Sequence, residues 1–524
     1  MLFEASIAIV NNEVFIYSGP GGGRASIPND VVHVRVDPSV ALIPTRAFQQ
    51  RKKLAKVELC EGLVEIGERT FAHCGRSITN INIPNSLRRI RDRAFYFSLR
   101  CPIRLHDDIE SIGTYAFAEC IFTNFRVPPL ITVIPRSMLR GCRSIFSIEL
   151  PYNVSEIEKY AFQNCYCLRN VAIPPNAAFS DEIFIDEEED VIYIRTDLQR
   201  LFGSKADIIS ALQHRFDRLP IHKLVYYQSY NPGVLQILIA VMNSRLGQCG
   251  ALRSKLNPTG NQQDCLGMTP LHILACSSVH DLELYRVIVE NYPTNLITED
   301  RWGALPLLYE FWGAAPNEII HYLVKSYQSL YPNHVLNWTM MVETMGRCDT
   351  PKECIENLLR VKQVFFPEQP IDWEYLLDFF AEPSNCNFHG APFQERMQFL
   401  VMCGMLSRVE ALAFKLWRDH ILNMIQTADY KWRRDNSTIL RGIQDKLAHF
   451  ENELPKLEEA TTILELALWK TRLDEDGHKS ETIPRLKKVK PDVSDIRRQC
   501  QVTCGADIII RLVLPFLITA VDKE

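Results

Sequence analysis

Four cysteines recur at one place in the first half of the chain. Cys74, Cys120, Cys142 and Cys165 each follow by three residues a large apolar residue: Phe71, Phe117, Leu139 and Phe162. Thiols at a regular spacing could ligate zinc, pair as disulfides or attack an electrophile. His272, three residues after Thr269, could act as a base, and SGPGGGR over residues 18–24 could cradle a phosphate. Each chemistry needs partners. No two cysteines form a CxxC pair, and neither Cys165-Tyr-Cys167 nor Cys500 with Cys504 has a nearby set to complete a zinc site. The glycine-rich stretch lacks the GxxxxGK[ST] order and reads as a hairpin loop. No HExxH, GxSxG or kinase set is present.

The elements that would position the cysteines are a repeat. Ile43, Ile66, Ile90, Ile112, Ile134 and Ile157 are each followed after five residues by Phe48, Phe71, Phe95, Phe117, Leu139 and Phe162. Seven residues before each isoleucine stand Val36, Leu59, Ile83, Leu105, Val127 and Leu150, and two before those Val34, Val57, Ile81, Ile103, Phe125 and Ile148. Successive members of the Phe column lie 23, 24, 22, 22 and 23 residues apart, which predicts one coil of a solenoid per unit. Alternation such as Val57-Glu58-Leu59 predicts a short strand with one face buried. An Ala-Phe pair then packs beneath it in a helical or tight-turn segment. Arg51 and Ser98 hold the cysteine's place in the other two coils, so the ladder reads as packing, with free cysteine acting as a small buried hydrophobe.

The unit L-P-x-x-[LVI]-x-x-I-x-x-x-A-F-x-x-C-x-x-L-x-x-[IV]-x-[IL]-P, clearest over Ile81 to Phe95 and Ile148 to Leu168, resembles the BspA-like leucine-rich repeat across about residues 31–175. The resemblance implies a right-handed solenoid whose strands line one face, and a binding role. From about residue 219 the pattern turns helical. DCLGMTPLHILAC over 264–276 resembles the opening of an ankyrin repeat, and DRWGALPLL over 300–308 repeats it without the histidine. PIHKL over 220–224 reads as a partial earlier copy, whereas NWTMMVETMG has lost the signature. In ankyrin-type units Thr269 and His272 would hydrogen-bond within the turn that opens the helix, which makes His272 structural.

The expected fold is multidomain: a leucine-rich-repeat β-solenoid, an ankyrin-like α-solenoid and a helical C-terminal region. Its parts would be an N-terminal β-hairpin cap over 1–30 and a solenoid of about six coils over 31–180. A cap and joint over 181–218, ankyrin-like repeats over 219–382 and a helical region over 383–524 would follow. In the joint, Asp186 to Asp190 would form a hairpin turn and Ser204 would cap a helix. Leu440, Ile443, Leu447, Phe450, Leu454, Leu457, Leu464 and Leu468 form a heptad seam with Pro455 inside it; packing within its own domain is preferred over self-association.

The 524 residues carry a net charge of −5, 16 cysteines and no basic apolar leader, which point to an intracellular protein with free thiols, cytoplasmic or nuclear. No apolar run reaches a membrane span. Residues 31–175 hold 20 Lys+Arg against 13 Asp+Glu, but no aromatic platform accompanies them, so a protein partner is preferred to nucleic acid. No cofactor and no enzyme are expected; the alternatives are a nucleic-acid-associated protein or an unrecognised enzyme in the C-terminal region. The outward strand column, Arg35, Glu58, Asn82, Arg104, Arg126, Glu149 and Ala172, is the expected contact surface, because residues between two buried strand positions face away from the core. Arg104 and Arg126, adjacent on that column, would call for carboxylates from a partner.

Overall fold

The structure is a computed structural model and describes residues 14–19, 27–179, 182–184, 196–227, 231–248, 259–278, 280–348 and 350–372, with 375, 376 and 379. The expected turn at 186–190, the heptad seam at 440–468 and all of 383–524 lie outside these residues. By contact density the chain divides into one unit of residues 1–358 with 384–389 and another of 359–383 with 390–524. The leucine-rich coils and the helices up to 358 therefore form one compact body.

Short parallel strands build two ladders. In the first, β1 (Phe15–Tyr17), β2 (His33–Val36), β4 (Lys56–Glu58) and β6 (Asn80–Ile81) pair side by side, and β9 (Asn124–Arg126) pairs with β11 (Ser147–Glu149). In the second, β3 (Leu42–Ile43), β5 (Glu65–Ile66), β7 (Arg89–Ile90) and β8 (Ser111–Ile112) pair in order, as do β10 (Val133–Ile134), β12 (Glu156–Ile157) and β13 (Ala178–Phe179). The registers Val34↔Val57↔Ile81 and Ile43↔Ile66↔Ile90↔Ile112 reproduce the sequence columns residue for residue. Between β6 and β9 the first ladder thins to a single bridge, Ile78↔Leu99. Pro102 stands in that coil and has no N–H to donate.

The hairpin loop expected at 18–24 does not join β1 and β2 as an antiparallel pair. The strand after the glycine-rich loop runs parallel to β1, with Phe15↔Val34 and Tyr17↔Val36, so β1 begins one more coil. Tyr17 sets its ring edge-on against Phe48 at 5.2 Å, carrying the core into that coil.

Inside, the Phe column is a continuous stack. Phe48, Phe71, Phe95 and Phe117 follow each other at 5.2, 5.3 and 5.5 Å with interplanar angles of 5°, 7° and 6°. Each buried phenylalanine contributes about 2–3 kcal/mol. The Ala-Phe segment is a tight turn, not a helix, and two positions per coil are left-handed. Arg46, Arg69, Arg93, Tyr115, Ser137 and Tyr160 have φ between +52° and +61°. Gln50, His73, Phe97, Glu119 and Asn164 lie between +54° and +65°, with Gly141 at +72°. Such backbone costs about 1–2 kcal/mol per non-glycine residue. Hydrogen bonds between coils offset it: Arg69 N donates to Asp92 O at 2.9 Å, and Arg93 N to Thr114 O at 2.8 Å.

Helices follow. α1 (Asp197–Phe202) and α2 (Lys205–Gln213) lead in; Ser204 caps α2 by accepting from Asp207 N, as its sequence position predicts. Three pairs come next: α3 (Pro220–Tyr227) with α4 (Pro232–Gln248), α5 (Pro270–Ala275) with α6 (Leu282–Asn291), and α7 (Pro306–Trp312) with α8 (Asn317–Leu330); α9 (Trp338–Arg347) and α10 (Lys352–Phe365) follow. First helices stack on first helices, α3 on α5 and α5 on α7; α4 packs on α6 and α6 on α8.

Candidate interaction surfaces on the strand face

The cysteine position does packing and one thing more. Cys74, Cys120, Cys142 and Cys165 are buried free thiols, and each Sγ donates to the carbonyl of the Phe-column residue one coil earlier: Phe48 at 3.4 Å, Phe95 at 3.1 Å, Phe117 at 3.2 Å and Leu139 at 3.3 Å. Ser98 donates to Phe71 O in the same way. The place therefore suits a small donor, which is why cysteine and serine alternate there. Burial pushes the thiols up, Cys74 to about 12 and Cys120 to about 11. A thiol held protonated is a poor nucleophile and a poor ligand.

His272 is fully committed as well. Its Nδ1 lies 2.9 Å from Thr269 Oγ1 and accepts from Thr269 N at 3.2 Å, while Nε2 faces Ala304 O at 3.0 Å. Burial lowers its pKa, so the ring is neutral with its proton on Nε2. The two turns that open α5 and α7 share one construction. Asp264 Oδ1 accepts from Leu266 N and Met268 N at 2.9 and 2.8 Å, and Asp300 Oδ1 accepts from Trp302 N and Ala304 N at 2.9 Å each. Gly267 and Gly303 take φ of +75° and +73°. A Cβ on Gly267 would come within 2.7 Å of Arg301 N.

The outward column splits into two stretches. At its start, Glu58 accepts from Arg35 and Lys56 at 2.6 Å each and from His33 at 3.0 Å, and the Lys56 bond first, then Arg35, hold its carboxyl down to about 2. Arg35 stays half exposed. Asn82 uses its carboxamide as a substitute strand, accepting from Leu59 N at 2.9 Å and donating to Leu59 O at 2.6 Å.

Further along, the chain covers its own face. Glu149 is buried, accepting from Ser278 N at 2.6 Å and Ser277 Oγ at 3.4 Å, and burial raises its pKa. Ala172 N donates at 3.0 Å to the Tyr226 hydroxyl, which also accepts from Leu150 N at 3.3 Å and donates to Ile148 O at 2.7 Å. Glu149 and Ala172 are therefore not open to an outside partner, contrary to the sequence expectation. The carboxylate for Arg126 also comes from within, Asp107 at 2.6 Å. Arg104 is exposed but lies close enough to His280 that burial, and then the Arg104 charge, hold that imidazole down to about 4.

Two buried arginines lock the covered end. Arg215 Nε donates to Asp264 Oδ2 at 2.7 Å, and its Nη1 reaches Asn170 Oδ1 at 2.7 Å and Val171 O at 2.9 Å. Arg169 Nε donates to Asp197 Oδ2 at 2.7 Å, and its guanidinium lies 5.0 and 5.3 Å from the ring centres of Trp302 and Trp312. Phe146 meets Trp312 at 4.6 Å. The sequence reading missed this seam. Its one signal was Ala172, apolar where earlier coils carry polar side chains.

Residues 29–137 and 74–190 match the BspA type leucine rich repeat region in six copies. No curated protein matches the chain. Among solved structures, a leucine-rich repeat protein of T. pallidum is similar at 23% identity over 33% of this chain and 81% of its own, with a TM-score of 0.28. One from Bacteroides ovatus is similar at 24% identity, covering 34% of this chain and 46% of its own, with a TM-score of 0.26. A leucine-rich cell surface protein from Faecalibacterium prausnitzii is similar at 21% identity, covering 30% of this chain and 36% of its own, with a TM-score of 0.21.

Proposed function

Taking residues 29–190 as a BspA-type leucine-rich repeat region, we propose that the chain is a non-enzymatic, intracellular protein-interaction scaffold that docks a protein partner on the open end of its strand face. The contact residues are His33, Arg35, Lys56, Glu58 and Asn82. One observation carries this reading: the same outward column, on the last coils, already binds polypeptide, namely the chain's own Ser277, Ser278 and Tyr226. A face whose backbone and carboxylates accept protein at one end offers the same groups at the other. The helix pairs act as an ankyrin-like second surface, supported by the repeated aspartate turns at Asp264 and Asp300 and the Thr269–His272 cap.

Much of the basic charge of the coils is met within the chain: Arg89 and Arg91 by Glu65, Arg76 by Glu119, Arg126 by Asp107. That weighs against nucleic acid as the partner. Photo-crosslinkers placed at Arg35 and at Arg100 in the full chain test the docking face. Capture of a protein from position 35, abolished by Glu58→Arg and absent from position 100, supports it. Capture of nucleic acid, or of protein only from the helical part, overturns it.

A further inference from the structure

A second surface lies away from the first ladder, on the tight turns that follow the second. There Gln49, Arg69, His73, Arg93, Tyr96 and Tyr115 surround a cavity of about 370 Å³ floored by Ala72. Arg69 and Arg93 hold the same left-handed position in adjacent coils, with φ +52° and +53°. Arg69 and Arg93 thus hold equivalent places one coil apart, and both line this one cavity. Like charges set opposite one another are unfavourable.

Elsewhere on these coils two nearby arginines share one carboxylate: Glu65, on the preceding coil, accepts from Arg89 at 2.7 Å and from Arg91 at 2.8 Å. Between Arg69 and Arg93 no described carboxylate plays that part. The acid within reach of Arg69 is its sequence neighbour Glu68 at 3.5 Å, and Arg93 rests over the Tyr115 ring at 4.9 Å with no carboxylate partner among the described residues. No carboxylate lines the cavity. Its polar groups are two guanidiniums, an imidazole, a carboxamide and the Tyr96 phenol, a set rich in donors, while the Tyr115 hydroxyl bonds to Ser137. Planar groups supply the rest of the wall, with His73 edge-on to Tyr96 at 4.9 Å and Tyr96 edge-on to Tyr115 at 6.5 Å.

We propose that this cavity binds a phosphate group, with oxygens shared between Arg69 and Arg93, as Glu65 shares its oxygens between Arg89 and Arg91. Guanidinium forks match phosphate oxygens in geometry as well as charge. The phosphate has two chemical sources: the free inorganic ion, or an ester on an aromatic ring such as phosphorylated tyrosine, whose ring would lie among Tyr96, Tyr115 and His73. The site is independent of the docking face proposed above and shares no residue with it.

Calorimetric titration of the full chain with inorganic phosphate and with phenyl phosphate tests the site. Saturable binding is expected, weakened about tenfold by Arg69→Gln and by Arg93→Gln, the effect of losing one charge-assisted contact. Arg100→Gln, an exposed arginine outside the cavity, leaves it unchanged. Tighter binding of phenyl phosphate assigns an aryl ester as the ligand; equal or tighter binding of inorganic phosphate assigns the free ion. Unfolding midpoints of the variants show that the fold is kept, and Arg93→Lys supplies a charge-retaining variant that restores part of the affinity. Absence of saturable binding by either probe, or wild-type affinity in both glutamine variants, overturns the proposal.

Discussion

The two ends of the solenoid are built from the same coil and live in different surroundings. Around β2 and β4 the outward residues meet water and settle their charges among themselves, as Glu58 does with His33, Arg35 and Lys56. Around β11 the corresponding residues meet α3 and the turn after α5, and Glu149 is buried under them. The first end is held by what each coil carries inside it, the aromatic stack. The second is held also by groups that one half of the chain supplies to the other. An identical repeat thus serves as an open surface at one end and as an internal interface at the other.

If that distinction is right, the largest effect should come from the covered end. Arg215→Ala leaves Asp264 buried without its cation and Asn170 without its donor, and is expected to cost about 3–5 kcal/mol. Urea denaturation should also show the helices losing protection before the aromatic stack does. A loss confined to a few tenths of a kcal/mol would mean that the seam is not a structural lock. At the open end, Phe95→Ala removes one ring from a stack with neighbours at 5.3 and 5.5 Å and is expected to cost about 3–4 kcal/mol. An unfolding midpoint equal to wild type would break the account of the first coils.

The third prediction separates the ends by pH. Glu310, in α7, is fully buried, and burial, opposed by the Tyr285 hydroxyl beside it, pushes its pKa up to about 8 from an ordinary 4.5. Below the ordinary value the group is neutral in both folded and unfolded chains. Between that value and the folded one, the unfolded chain gives up the proton and the folded chain keeps it, so stability falls as pH rises across this window. Glu149 adds a shift of the same sign. Glu310→Gln should flatten the fall and raise the midpoint at pH 8, whereas a variant of Phe95 should leave the slope alone. A pH profile unchanged by Glu310→Gln would show that this carboxyl is not held neutral.

The smallest effect is expected on the outward arginines. The double change Arg104→Ala, Arg126→Ala removes one exposed cation and one partly exposed ion pair to Asp107, and should alter stability by no more than about 1 kcal/mol. A larger loss would extend the covered end of the face back over these coils.

The coil was readable because its pattern is local. Ile43, Phe48 and their equivalents recur within one turn of chain, and the observed registers follow those columns directly. The left-handed turns were not readable. Arginine, tyrosine, glutamine and histidine occupy most of them, and only Gly141 and Asn164 give the usual signal. Their conformation is imposed by bonds to the next coil, which residue type does not announce. The cavity between Arg69 and Arg93 escaped notice for the same reason, since its wall is a column of residues that look like ordinary surface. The aspartate-glycine turns of the helical part were visible at Asp264 and Asp300, because there the side chain bonds to its own next few residues.

The sequence by itself determined the repeat, its buried apolar columns, the first strand ladder, the aromatic stack and the structural use of the cysteines. All of these arise from contacts within a coil or between a coil and its neighbour. Only the tertiary structure decided which outward residues face water. Glu149 is covered by Ser278, 129 residues away, and Arg169 meets Tyr309 across 140. An outward strand position carries no mark of what will later fold against it, because burial is decided by the partner surface and not by the residue's own periodicity.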